Sequence, residues 1–144
     1  MSESTETGSP KVDTAGKRRM RGEPLIRTVP MPSDMNGNGD IFGGWVLSQM
    51  DVAGGILAFR RAQGRVVTVA VDAMQFHQPI RVGDLVSIYG EVVRVGRTSM
   101  AVRLETIVER RIEPGEIKVT EGTYTFVAID EQGRPRPVPP AKTG

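Results

Sequence analysis

The sequence predicts an α+β domain in which one five-stranded antiparallel sheet wraps a single long helix. Three observations lead there. Gly43–Ala62 carries apolar residues at helical spacing, with glycine at its start and just beyond its end. Four later segments are rich in β-branched residues, and most of them alternate. At 144 residues the chain fits one domain of ordinary size, able to bury about two-thirds of its extended-chain surface.

Residues 1–22 are rich in Ser, Thr, Glu, Gly and Lys and end in the basic cluster Lys17-Arg18-Arg19-Met20-Arg21. Such a segment cannot bury enough apolar surface to offset its ordering entropy, so it is expected to be a disordered, solvated tail. The folded domain is expected over 23–133. Residues 24–30 are extended and bounded by prolines, which lack the amide donor of a central strand, and so read as an edge strand. In the helix, Val46, Met50, Ala53 and Leu57 recur at i, i+4, i+7 and i+11. Arg60 and Arg61 occupy its last turn and Gly64 closes it. Trp45, Gln49, Val52 and Ile56 form a second row, which predicts a mostly buried helix.

The run Val66, Val67, Thr68, Val69, Val71 within residues 65–76 is nearly continuous and reads as a central strand covered on both faces. Leu85–Val95 and residues 100–108 are joined by Gly96-Arg97-Thr98, a hairpin-length connection. Met100, Val102, Leu104, Thr106 and Val108 fall on one face, with Arg103, Glu105 and Glu109 on the other. Residues 118–129 form the last strand, after the Pro114-Gly115 turn. Residues 134–144 hold Arg134-Pro135-Arg136-Pro137-Val138-Pro139-Pro140, which sustains neither helix nor central strand and is expected as a Pro-rich tail. One sheet and one helix leave a sheet edge unpaired, so a dimer that extends the sheet is expected.

Composition narrows the function. With no cysteine and one histidine the chain has neither disulfides, thiolate metal sites nor a multi-histidine metal cluster. A reducing, cytoplasmic setting is compatible with that. No run of ~18 apolar residues occurs, so a soluble protein without membrane insertion is expected. The net charge of +2 comes from an arginine excess spread along the chain, not gathered as on nucleic-acid binders.

One carboxylate stands out. Asp51 shares its side of the helix with Leu47, Gly54, Gly55 and Ala58, a stripe without bulk or basic partners. An acid on an apolar helical face is costly to bury as an ion, so it is either kept for function or relieved by a hydrogen bond. An exposed helical Asp is the alternative.

Met31-Pro32-Ser33-Asp34, Asn38-Gly39-Asp40-Ile41-Phe42-Gly43-Gly44-Trp45 and Ser48-Gln49-Met50-Asp51 together resemble the YciA-type bacterial acyl-CoA thioesterases, which are related to the brain-type acyl-CoA hydrolases. The resemblance continues through Gly64-Arg65-Val66-Val67-Thr68-Val69, Met74-Gln75-Phe76, Pro79-Ile80, Val82-Gly83-Asp84 and Val95-Gly96-Arg97-Thr98-Ser99. It covers roughly residues 25–135. It implies a hotdog fold, a dimeric active unit, commonly a homohexamer built as a trimer of dimers, and hydrolysis of an acyl-CoA to the free acid and CoA, without cofactor.

Thioester hydrolysis at neutral pH needs a base for water, donors for the developing oxyanion and a groove for the thiol carrier. Asp51 matches the family's helix aspartate and is assigned as general base, with direct nucleophilic attack as the other version. Asp40 lies where related hydrolases place an Asn or Asp, orienting water or the thioester from the partner subunit; an N-cap is its other reading. Gly43 and Gly44 allow close approach to a ligand, and a backbone N–H there would polarise the carbonyl. Arg97, Thr98 and Ser99 match the family's CoA-facing loop, with Arg94 and Lys118 as electrostatic candidates. Phe76 and Met74 read as core or as acyl-pocket wall, and His77 as structural.

Two other readings change the task. A hotdog protein could bind acyl-CoA without catalysis. The stretch from Asp34 to Ile41 matches the first eight positions of an EF-hand loop, but position 12 is Trp45 where the bidentate Glu belongs, and prolines replace the entering helix.

Overall fold

The computed structural model describes residues 11–12, 18–19 and 22–142. Within the expected N-terminal tail, β1 (Lys11–Val12) and β2 (Arg18–Arg19) pair antiparallel. The remainder of that expectation lies outside the described residues. The domain then runs β3 (Ile26–Thr28), a 3-10 turn (Pro32–Asp34), α1 (Gly43–Ala62), β4 (Val66–Phe76), β5 (Leu85–Val95), β6 (Ser99–Glu109) and β7 (Glu116–Ala128). The last five strands form one antiparallel sheet in the order β3-β5-β6-β7-β4, and α1 packs against β4, β5, β6 and β7. This is the hotdog arrangement of the sequence reading.

Small residues let the helix come close. Val46, Met50, Ala53, Gly54, Ala58 and Ala62 are buried along one face of α1, against Met100, Val102, Leu104, Tyr124 and Phe126 of the sheet. A Cβ at Gly54 would stand 3.0 Å from both Leu104 and Phe126, so only glycine fits without displacing a core side chain. The helix ends at Gln63, which adopts the left-handed conformation (φ 55°) and donates its N–H to Phe59.

Two expectations about burial fail together. Residues 65–76 do not form a central strand: β4 is a sheet edge, and Val67, Val69 and Val71 remain 41, 55 and 43 % exposed. The helix is not mostly buried either, since Val52 and Phe59 are each 53 % exposed and Trp45, Gln49 and Ile56 are half-buried. The physical reason is shared. A single chain covers only one side of this helix and strand, and valines meant for contact with another surface pattern like valines meant for a core.

Two further differences concern the remaining face and the C-terminus. Glu105, expected on the charged face of β6, is 4 % exposed and pairs with Lys118 at 3.6 Å. Residues 134–140, expected as a tail, are held against the fold. Pro135 bridges to Ile129, the Val138 N–H donates to the Arg97 carbonyl (2.8 Å), and Arg136 donates to the Ala62 and Ile129 carbonyls, each at 3.0 Å. Proline forbids ladder donation but leaves its neighbours free to donate.

Candidate active site

Asp51 lies in the middle of α1, half-buried. Its Oδ1 accepts a hydrogen bond of 2.5 Å from the Thr68 hydroxyl on β4, the length of a charge-assisted O–H···O⁻ bond. Among the described residues no ion pair reaches it, and Oδ2 has no partner. The carboxylate is therefore relieved by a hydroxyl while one oxygen stays free to take a proton. Beside it, the buried Tyr124 donates its hydroxyl to the Leu47 carbonyl (2.7 Å), one turn before Asp51. Burial first, then the negative charge of Asp51, pushes the Tyr124 phenol up to about 12, so the phenol stays protonated and holds that turn in place.

A second group of residues gathers at the start of α1. Asp40, Phe42, Gly43, Phe76, His77 and Thr120 line a cleft of about 310 Å³. Phe42 occupies the N-cap position and no side chain caps the helix, so Asp40 is not an N-cap. Among the described residues its carboxylate has no hydrogen-bond partner, while its backbone closes a turn with Asn36. The uncapped N–H groups of the first turn are directed outward from the helix start, where they favour negative charge. The Phe76 ring packs 3.6 Å from where a Gly43 Cβ would stand, making it a wall of this cleft as well as a sheet residue. Gly44 belongs to the same first turn but does not line the cleft.

Within one chain these two groups are separate. Asp51 follows Gly43 by eight residues, about 12 Å of helix axis at ~1.5 Å per residue. Thr68 pairs with Phe126, which on its other side pairs with Met100, at the sheet end that carries Arg94, Arg97, Thr98 and Ser99. Arg94 and Arg97 are exposed, and the hairpin is tied down through the Arg97 and Thr98 carbonyls. Lys118 drops out as a candidate for CoA phosphate, because it is enclosed between Glu105 and Glu121 at 3.6 and 3.5 Å.

Thr68 and Tyr124 escaped the sequence reading. The signal for Thr68 was one hydroxyl in a run of valines, seventeen positions from Asp51. For Tyr124 there was none, since an aromatic in a strand reads as core. In the loop that resembles the start of an EF-hand, Asp34 accepts from the Met31 N–H (2.9 Å) and Asn36 from the Asn38 N–H (2.8 Å). Among the described residues no cluster of three His, Cys, Asp or Glu could hold a metal. No described helix is long and apolar enough to cross a membrane.

Comparison with known proteins places the chain in a family. Residues 38–113 match the family model of the thioesterase superfamily. An uncharacterized acyl-CoA thioester hydrolase of Haemophilus influenzae is 53% identical over 125 residues, which is 85% of this chain and 81% of the relative. The acyl-CoA thioester hydrolase YciA of Escherichia coli is 47% identical over 122 residues, 83% of this chain and 92% of the relative. The crystal structure of a hexameric thioesterase from Yersinia pestis superposes with a TM-score of 0.80 at 45% identity, covering 85% of this chain and 100% of that one. The chain belongs to the thioesterase superfamily, alongside the YciA-type acyl-CoA thioester hydrolases.

Proposed function

We propose that the protein hydrolyses acyl-CoA thioesters to the carboxylic acid and CoA, with Asp51 activating the water. The observation that carries this reading is the Asp51 carboxylate itself, fixed by Thr68 through one oxygen and free of cations. A base so placed keeps its lone pair for water and is not tied up in a salt bridge. The curated relatives are named for this activity.

The unit that acts is at least a dimer, and a hexamer like the Yersinia pestis enzyme is the assembly we favour. A strand edge that pairs with its own copy about a two-fold axis must do so antiparallel. Pairing β4 with a second β4 sets the Phe76 end of one chain beside the Thr68 end of the other. Asp51 of one subunit then approaches the cleft of Asp40 and the uncapped Gly43 turn of the next. The water would be drawn to Asp51, the thioester carbonyl would lie against the helix start, and Asp40 would orient the reacting groups. Arg97, Thr98 and Ser99, with Arg94, remain the residues we assign to the CoA moiety. We place the enzyme in the cytoplasm, a setting that a chain without cysteine permits.

Thiol release measured over acyl-CoAs from acetyl to palmitoyl tests the reading. Turnover of at least one chain length is expected; tight CoA binding with no release from any member would instead support an acyl-CoA sensor.

A further inference from the structure

A strained stretch of backbone turns one side chain of β4 inward. The register of β4 on β7 shifts between the pairs Asp72 with Thr123 and Gln75 with Glu121, so Ala73 and Met74 together oppose Gly122 alone. That two-against-one count is a β-bulge, a device that re-aims a side chain. Ala73 sustains it at φ 54°, a left-handed conformation that a residue with a Cβ seldom adopts in a strand. The result is seen at Met74, which packs against the core directly over Gly122. A Cβ added at Gly122 would collide with Met74 Sδ and stand 3.2 Å from its Cγ and Cε, which accounts for a glycine inside a strand. Gly122 pairs with Leu104, whose Cδ1 stands 3.0 Å from an added Cβ at Gly54 of α1. Directly opposed residues share a face, so the thioether occupies the layer between α1 and β7.

Within that layer Met74 stands where the cleft stops. Thr120, Gly122 and Tyr124 alternate along β7 and face the helix: the buried Thr120 lines the cleft, and Tyr124 reaches the Leu47 carbonyl. Gly122 lies between them, about 6.6 Å from Thr120 at ~3.3 Å per residue, and Met74 fills the space above it. Two residues along β4, Phe76 lines the cleft from the same side of the strand. Without the Met74 side chain the cleft would run on over a bare glycine toward Tyr124. The helix start that we assign to the thioester carbonyl opens on this cleft, so the acyl chain bonded to that carbonyl enters it. Ile41, Phe76 and Ile80 give the chain apolar walls. We propose that Met74 is a specificity-determining residue: its thioether, set over Gly122 by the bulge at Ala73, closes the inner end of the cleft and limits the length of the acyl chain that is hydrolysed. Methionine suits that place, because its flexible side chain fills an irregular gap. The proposal rests on the thioesterase reading.

The test is the profile of kcat/KM against chain length, over saturated acyl-CoAs from acetyl to palmitoyl. It is measured for the parent, Met74→Ala, Met74→Val and the double variant Met74→Ala with Gly122→Val, with melting temperatures to identify folded proteins. Alanine removes Cγ, Sδ and Cε, which leaves room for about two methylenes, each worth about fourfold in binding. For chains just beyond the parent's limit, kcat/KM is expected to rise about four- to sixteenfold in Met74→Ala. The shortest substrate, which does not reach Met74, should keep the parent value. Gly122→Val refills the vacated space from the facing strand and is expected to restore the parent's limit. Met74→Val, shorter than methionine and suited to a strand, is expected to shift the profile less in the same direction, and it serves if the alanine variant does not fold. An active parent whose profile superimposes within twofold on those of the folded Met74 variants overturns this proposal alone. So does a loss equal at every chain length, or a gain that Gly122→Val does not reverse. A parent that hydrolyses no acyl-CoA overturns the thioesterase reading, and this proposal with it.

Discussion

Tyr124 holds the helical turn that precedes Asp51. Its hydroxyl grips the Leu47 carbonyl, and its ring lies near-parallel to Phe126 with centroids 6.4 Å apart. Because burial and Asp51 raise the phenol from 10.0 to about 12, its contribution is fully present below pH 10 and is lost as pH rises through 12. Tyr124→Phe is expected to cost about 1 kcal/mol at neutral pH, the net worth of one hydrogen bond. It should also flatten the alkaline fall in stability. Denaturant unfolding at pH 7 and across pH 10–12 checks both; an alkaline limb as steep as the parent's would show that another group carries it. Asp51 was legible because an acid among small residues on a helix is conspicuous. Its partner was not, since Thr68 reaches it only through the packing of β4 on α1.

At the scale of elements, α1 and the β5–β6 hairpin were readable from spacing and turn chemistry alone. The helix bounds Gly43–Ala62 follow from apolar periodicity and the Gly64 stop, and the observed bounds agree. Strand ends shifted by one or two residues, as at β6 (Ser99–Glu109) and β7 (Glu116–Ala128), because the alternating pattern fades before the ladder does. The place of β4 in the sheet was not readable, since sheet order is set by long-range pairing that a valine run does not encode. The closest helix–sheet contact yields a sharp expectation. Gly54→Val would drive its Cβ and methyls into Leu104 and Phe126, which already stand 3.0 Å from an added Cβ. A loss of about 1–3 kcal/mol is expected from overpacking, read as a lowered unfolding midpoint. An unchanged midpoint would mean that the helix sits farther from the sheet.

For the whole molecule, the exposed apolar surface is the guide. Val67, Val69 and Val71 on β4, whose outer edge has no neighbouring strand among the described residues, with Val52 and Phe59 of the helix, form the kind of surface that invites pairing with another strand. Val69→Lys sets a charge within that surface and is expected to shift the protein toward monomer in light scattering at micromolar concentration. Hydrolysis should fall with it, because in the dimer we propose Asp51 of one chain meets the Asp40 cleft of the other. A monomer that remains fully active would separate catalysis from assembly.

The most direct test of the central claim is the turnover of Asp51→Asn on the acyl-CoA that the parent hydrolyses fastest. The amide keeps the size of the side chain and can still receive the Thr68 hydroxyl, but it cannot take a proton from water. A fall in kcat of ~10² or more is expected, the range for loss of a general base, with the melting temperature maintained and CoA still bound. Turnover within a few-fold of the parent would contradict the account, and the base would then have to be sought at Asp40.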